Sequence, residues 1–315
     1  MLLKPEELSH DVYLSENYVS LYVDPNRGEE VFKFEYREGK KKFFTISVKR
    51  PIPFLEGFYE LETAYGYGGF IVTTCDEDFI RKAFGIYRDF CLSQNIVAEF
   101  VRFHPFNPYN EVVGKFLDFF KKDRLVVFVS LSKEKNYASS LKRNLKKAQS
   151  FNLRFEILKK TKENLKIFMK LYYKTMERHR ANKFYFFPKS YFEKLFSLGE
   201  AKLFATKFEE KIVNAVVILE SSNKVAYYHL GATHPEFYKY NVNPFIFDKL
   251  IDFYKEKNYR FFYLGGGTDS DPQNSLLRFK KKFSKEYGWF YIGGIIFNSR
   301  VYEFLRKNFC KSGKF

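Results

Sequence analysis

The sequence predicts an α/β protein made of two similar units, and three observations carry this reading. Strand-length apolar runs, such as 125–131 and 212–219, alternate with amphipathic helical patterns through the 315 residues. A helix feeding a strand recurs with the same punctuation. Asp89-Phe90 precedes Asn95 and a strand over 96–103, and Asp252-Phe253 precedes Asn258 and a strand over 259–264. Between the two stands a basic helix, SKEKNYASSLKRNLKKAQS, over 132–150. The division expected is an N-terminal unit over 1–131, a connecting helix over 132–152 and a C-terminal unit over 153–315.

The first unit opens with strands over 31–37 and 42–49 around the hairpin turn Glu38-Gly39-Lys40. Tyr65-Gly66-Tyr67-Gly68-Gly69 is an aromatic, flexible turn. Residues 76–94 have helical periodicity, with Phe79, Ala83, Ile86, Tyr87 and Phe90 on one side. The strand over 96–103 ends at His104-Pro105, a short helix covers 111–121, and 124–131 is a buried strand. In the connecting helix Ser132 is the expected cap, Tyr137, Leu141, Leu145 and Ala148 form the apolar stripe, and Lys142, Arg143, Lys146 and Lys147 fill the other side. The second unit reads as a strand over 153–158, helices over 162–180 and 188–198, and a meander over 201–208, 211–220 and 224–232. Asn243-Pro244 supplies a cap and a first-turn proline for a helix over 244–257. The strand over 259–264 runs into Gly265-Gly266-Gly267, followed by a helix over 275–283, a strand over 287–297 and a helix over 300–309.

Composition bounds the function. No run approaches the roughly 18–20 apolar residues of a membrane span, so no integral membrane segment is expected. MLLKPEELSHD turns acidic before an apolar core develops, so no signal peptide is expected. Cys75, Cys91 and Cys310 form no CxxC pair and fit a reducing cytoplasm. Phe, Tyr and Trp make up 21% of the chain, and Gln appears only at positions 94, 149 and 273; this fits either a thermophile or an AT-rich genome. The net charge of +17 is uneven. Residues 1–115 carry 14 basic and 18 acidic side chains, whereas 116–315 carry 40 and 19. The second part is therefore expected to meet an anion such as nucleic acid, a nucleotide, phosphate or a membrane surface.

The residues that can carry chemistry gather late in the chain. Gly265, Gly266 and Gly267 permit positive φ and close backbone approach, and free N–H groups there can receive an anion or an oxyanion. The spacing is neither GxxxxGK[ST] nor GxGxxG, so ATP and NAD are not indicated. Thr268-Asp269-Ser270-Asp271 follows, then Ser275-Leu276-Leu277-Arg278-Phe279-Lys280, with further cations at Lys281, Lys282 and Lys285. No histidine array has metal-ligand spacing, so no metal site is expected. There is no GxSxG elbow. His229 lies in a strand, and His104 stands at a strand end, where pocket residues of open α/β sheets concentrate.

SLKRNLKKAQSFNLRFEI, LYYKTMERHRANKFYFFPKSYFEKLF, YYHLGATHPEF with NPFIFDKLIDFYKEKNYRFFYLGGG, and GGG followed by SLLRFKKKF together resemble the Fem-type aminoacyltransferases, a branch of the GNAT acyltransferase superfamily. YGYGGFI, which holds Tyr67, and EFVRFHPF, which holds His104, are similar to segments of the same relatives. The resemblance implies tandem GNAT-like units, each a mixed twisted sheet flanked by helices, with a groove between them. It implies transfer of an acyl or aminoacyl group to an amine, often on a peptidoglycan precursor used in the cell wall. It also implies no bound cofactor, the donor being aminoacyl-tRNA or acyl-CoA, and a nucleotide- or lipid-linked acceptor that allows peripheral membrane contact.

The family's Phe-Lys signature matches Phe279-Lys280 at the reaction site, and its acceptor-phosphate arginine matches Arg178. The glycine-rich pyrophosphate loop of GNAT acetyltransferases is absent from 238–244, which favours aminoacyl-tRNA over coenzyme A. On this reading Lys280 stabilises the developing oxyanion and the backbone near 265–268 assists. Asp269, Asp271 or His229 accepts the proton, and Arg178, Arg278, Gly265, Gly266, Gly267, Tyr67 and His104 bind substrate. An acyl-CoA-dependent N-acyltransferase acting on an envelope sugar or peptide, and a non-catalytic basic RNA-binding protein, are the alternatives.

Overall fold

The computed structural model describes residues 3–309 as two compact units. Of these, one comprises 3–123 with 289–309, and the other 124–288. This partition differs from the sequence division at 131 and 153 in two ways. The connecting helix belongs wholly to the second unit, and the last strand and helix return to the first.

The first unit begins with two single-turn helices, α1 (Pro5–Leu8) and α2 (Glu16–Val19). The hairpin of β1 (Glu30–Glu38) and β2 (Lys41–Pro51) turns through Gly39 at φ 58°, as the Glu-Gly-Lys signal predicts. Then come β3 (Tyr59–Glu62), β4 (Ile71–Val72), α3 (Glu77–Ser93), β5 (Ile96–Arg102) and α4 (Asn110–Gly114). The expected helix over 111–121 is only this short turn. Gly114 lies against the Phe120 ring, and the chain straightens into β6 (Phe119–Ser130), which carries it into the second unit.

The second unit holds α5 (Ser139–Gln149), β7 (Leu153–Leu158), α6 (Lys162–Arg178), α7 (Lys189–Ser197), β8 (Ala201–Phe208), β9 (Lys211–Glu220), β10 (Val225–Thr233), α8 (Val242–Glu256), β11 (Phe261–Gly266) and α9 (Ser275–Lys280). Helix α5 starts seven residues after the expected Ser132 cap. Asn243 does not cap α8 either. Asn241 takes that place in a left-handed conformation at φ 57°, and Asn243 instead accepts hydrogen bonds from Asn214 Nδ2 and Thr233 Oγ1, both at 2.8 Å. The chain returns to the first unit through β12 (Glu286–Ile296) and ends in α10 (Ser299–Phe309).

The return has a packing cause. Ile292–Ile296 pair antiparallel with Ala98–Arg102 of β5, and Leu305 of α10 buries against Ile52 and Val97. Within the first unit the strand order is β1-β2-β3-β5-β12, with β4 paired to β2. Within the second it is β7-β8-β9-β10-β11-β6. Helices α5 and α8 cover one face of the second sheet through Leu141, Ile246, Phe247, Leu250 and Tyr254, packed on Val127, Val216, Ala226 and Phe262. Helices α6 and α7 pack against β8, β9 and β10.

The internal repeat is real at the level of backbone conformation. Helix α3 stops at Asn95 with φ 54° and α8 at Asn258 with φ 57°. Each asparagine N–H reaches back three residues, to Leu92 O and Lys255 O, both at 3.0 Å. Asparagine tolerates this left-handed stop better than other residues with a side chain. Each stop feeds a strand with one parallel and one antiparallel neighbour: β5 lies between β3 and β12, and β11 between β10 and β6.

Candidate active site of the second unit

The site begins where two parallel strands part. β10 and β11 are in register over Val225–Tyr227 and Phe261–Tyr263. Beyond that, β10 is irregular between Tyr228 and Leu230 and stays paired with β9. β11 is irregular between Tyr263 and Gly265 and stays paired with β6. Two strands that share hydrogen bonds and then take separate partners leave an opening at their ends, at the carboxyl edge where α/β sheets place ligands.

The three glycines at the end of β11 are each required for a different reason. Gly265 has φ 79°, which a side chain resists. A Cβ on Gly266 would stand 2.8 Å from Leu125 O, and one on Gly267 2.6 Å from Asn274 Oδ1. Gly266→Ala is therefore expected to lower stability by about 1–2 kcal/mol through overpacking. Urea unfolding checks this, and wild-type stability would show that the strand yields freely.

The loop after the glycines is organised by its own carboxyl groups. Asp269 Oδ1 accepts from the Asp271 N–H (3.0 Å), and its Oδ2 accepts from Asn274 Nδ2 (3.0 Å) and the Thr268 hydroxyl (3.2 Å). These donors, the Asp271 N–H foremost, hold the Asp269 pKa below its ordinary value, which makes it a weak base. Asp271 Oδ1 accepts from the Gln273 N–H (2.8 Å). Asn274 caps α9 by accepting from Leu276 N and Leu277 N (3.0 and 3.2 Å).

Helix α9 then turns Lys280 inward. The side chain is 5% exposed, and Nζ donates to Gly266 O at 2.7 Å. Nζ also stands 5.8 Å from the centre of the Tyr228 ring. Among the described residues no carboxylate pairs with it. Burial, with the nearby Arg124 charge as a second cause, pushes its pKa down from 10.5 to about 7. Arg124 donates to Gly267 O at 3.2 Å, so both cations hold carbonyls of the glycine run. Phe279 packs on Phe247 and Phe283 (ring centres 5.6 and 5.3 Å apart) and anchors α9 to α8. The neighbouring lysine turns elsewhere, Lys281 lying 5.3 Å from the Tyr287 ring. Arg278 is exposed.

The other expected residues fall in separate places. His229 and Tyr228 are adjacent in β10 and face opposite ways, as strand neighbours do: Tyr228 meets Phe247 of α8, while His229 Nε2 lies 2.8 Å from Tyr191 Oη of α7. Burial drives the His229 pKa down to about 3, so the ring is neutral. Arg178 ends α6 with its guanidinium 4.0 Å from the centre of the Tyr238 ring. Tyr67 and His104 lie together in the first unit, ring centres 6.2 Å apart. His104 is fully buried; its Nδ1 accepts from the Phe106 N–H (3.2 Å), and its Nε2 stands 3.5 Å from Asp11 Oδ1. Sequence reasoning missed Arg124 and Tyr228. Arg124, at the head of a buried apolar run, carried the only available signal.

Residues 135–281 match the family model of the acetyltransferase (GNAT) domain. The fold is similar to that of FemX, with a TM-score of 0.70 at 13% identity, covering 95% of this chain and 94% of that one. It is also similar to the C-terminal domain (DUF2156) of a putative lysylphosphatidylglycerol synthetase from Agrobacterium fabrum, with a TM-score of 0.57 at 15% identity over 96% and 94%. A tandem GNAT protein from the clavulanic acid biosynthesis pathway is similar with a TM-score of 0.50 at 8% identity over 90% and 87%. At these identities the likeness is one of fold. Comparison with curated protein sequences gives no match.

Proposed function

Starting from a chain whose residues 135–281 match the acetyltransferase (GNAT) domain model, we propose that it transfers an aminoacyl group from aminoacyl-tRNA to an amine of a peptidoglycan-precursor peptide. The observation that carries this reading is the buried Lys280 at the parted ends of β10 and β11. Acyl transfer from an ester requires attack by a neutral amine, stabilisation of a tetrahedral oxyanion, and cleavage of the ester C–O bond, the proton lost by the amine going to the departing ribose oxygen of the tRNA. A desolvated ammonium held by Gly266 O has donors left for that oxyanion, and low polarity strengthens each of them. With a pKa of about 7, Lys280 exchanges a proton readily near neutral pH.

Two features favour tRNA as the donor over coenzyme A. Lys142, Arg143, Lys146 and Lys147 are all exposed on α5, as a phosphate backbone needs. The entry to α8, where a pyrophosphate would sit, carries Pro244 in its first turn. Proline removes one N–H from the anion-receiving end.

The test offers purified protein an aminoacyl-tRNA and an acyl-CoA in turn, with a soluble amine-bearing peptide, and detects the amide by mass. Transfer from aminoacyl-tRNA that weakens steeply with salt is expected. Replacing Lys142, Arg143, Lys146 and Lys147 by Ser should flatten that salt slope. Transfer from acyl-CoA alone would make the chain an N-acyltransferase of the other kind. RNA binding without transfer from any donor would make it a non-catalytic RNA-binding protein.

A further inference from the structure

The first unit carries an apolar ridge that rises from the edge of a small core cluster: Phe309 packs against the cluster of Ile52, Val97 and Leu305, while Phe54 and Phe304 stand exposed. Phe54 sits in the β2–β3 loop, is 75% exposed, and has φ 70°. A bulky residue in the left-handed region is strained, and such strain is held where the surrounding structure fixes it. Here it projects a phenyl ring out of the loop. The ring stacks on Phe309 of α10, with centres 5.8 Å apart and planes within 6°. Phe309 in turn meets Phe304, which is 52% exposed, at 6.4 Å. The opposite side of α10 is committed inward, where Leu305 is buried with Ile52 and Val97 and is flanked by Val301 and Tyr302.

Charge frames the ridge. Arg300 and Lys307 stand four residues before and three after Phe304, hence on the same face of α10, and both are exposed. Neither has an acidic partner among the described residues. Arg306 is taken up by Glu303 at 2.8 Å, and Glu56 is the one acidic residue of the Phe54 loop. The sequence after Phe309 adds Lys311 and Lys314 and no acid.

We infer that the Phe54–Phe309–Phe304 ridge docks on the surface of an anionic lipid bilayer, with Arg300 and Lys307 at the headgroups. Aromatic rings flanked by unpaired cations on a short amphipathic helix are the chemistry of interfacial binding. The rings enter the acyl boundary and the cations meet lipid phosphates. A second copy fits less well, because a two-fold contact through this face would set one cationic face, Arg300 with Lys307, against the same face of the other copy. The inference does not rest on the transferase reading.

The full chain is floated with vesicles of phosphatidylcholine alone and of phosphatidylcholine mixed with phosphatidylglycerol. Binding to the mixed vesicles is expected to exceed binding to phosphatidylcholine by ~10-fold or more, and to fall with salt. Phe54→Gly with Phe304→Ser should cut binding by ~5-fold or more through lost apolar insertion. Glycine at 54 relieves the positive φ, so the melting temperature should not fall on account of that change. Arg300→Glu with Lys307→Glu should abolish the preference for phosphatidylglycerol. Transfer between soluble substrates should be unchanged in both double variants, which separates this surface from the active site. The inference is overturned by an absence of binding to the mixed vesicles, or by binding that neither double variant alters. It is equally overturned by a concentration-dependent dimer that Phe54→Gly with Phe304→Ser dissolves while vesicles remain unbound.

Discussion

Replacing Lys280 by Met lowers transfer by a factor of roughly 10² or more, the usual loss when one transition-state donor is removed, and at the same time stabilises the fold near neutral and acidic pH. The two effects have one origin. Lys280 is buried beside Gly266 O without a carboxylate, and its pKa falls from 10.5 to about 7. Because the folded-state value is depressed, the unfolded chain holds a proton that the folded chain lacks between pH 7 and 10.5. Stability therefore rises with pH across that window, and the cost of the buried charge is greatest below it. At about 1.36 kcal/mol per pH unit the upper bound is about 5 kcal/mol, reduced in K280M by the unpaired Gly266 carbonyl. Thermal melts of wild type and K280M should separate most at about pH 6 and converge toward about pH 10. In transfer assays, wild-type kcat/KM should lose the contribution of the charged form as pH rises through about 7, and K280M should lack that limb. Lys282→Met is the control, since Lys282 lies outside α9 and is partly exposed. Equal activity in wild type and both variants would remove Lys280 from the mechanism. A pH-independent stability gap would remove the buried charge as its cause.

A second large effect belongs to Glu99 in the core of the first unit. Its carboxylate accepts from Ser47 Oγ and Tyr87 Oη, both at 2.8 Å. Those bonds favour the ionised form, yet burial outweighs them and lifts the pKa from 4.5 to about 7. Burial and the Glu99 charge also push the Cys91 thiol well above its ordinary value, so this cysteine is unreactive. Because the Glu99 value is raised on folding, its contribution to stability is full below pH 4.5 and is lost as pH rises through about 7. The loss is bounded by about 3 kcal/mol at about 1.36 kcal/mol per pH unit. Glu99→Gln keeps the shape, an acceptor for one hydroxyl and a donor for the other. It should match wild type at about pH 4.5 and exceed it by about 1–3 kcal/mol at about pH 8 in urea unfolding. The same pH slope in both proteins would show that Glu99 stays ionised in the core.

Much of this protein was legible in order along the chain. Periodicity places the hairpin at Gly39, the helix ending before Asn95, the meander over 201–232 and the strand that opens into Gly265. It overextended the helix at 111–121, because Phe116, Leu117, Phe119 and Phe120 are apolar in either conformation and the sheet decides between them. It began the basic helix too early for a similar reason. Tyr137 is buried against Phe283, so it reads as part of an apolar stripe, although α5 begins only at Ser139.

The α/β class, the repeated helix–asparagine–strand unit and the glycine run followed by a basic helix are written locally along the chain, because periodicity, left-handed stops and glycine are local properties. That Lys280 is buried while Lys282 is partly exposed, that His229 turns to Tyr191 while Tyr228 turns toward Lys280, and that residues 289–309 close the first unit emerge only in the folded chain. These outcomes depend on which distant strands pair and on how much water each side chain loses. Neither pairing nor desolvation is a property of any stretch of sequence shorter than the fold.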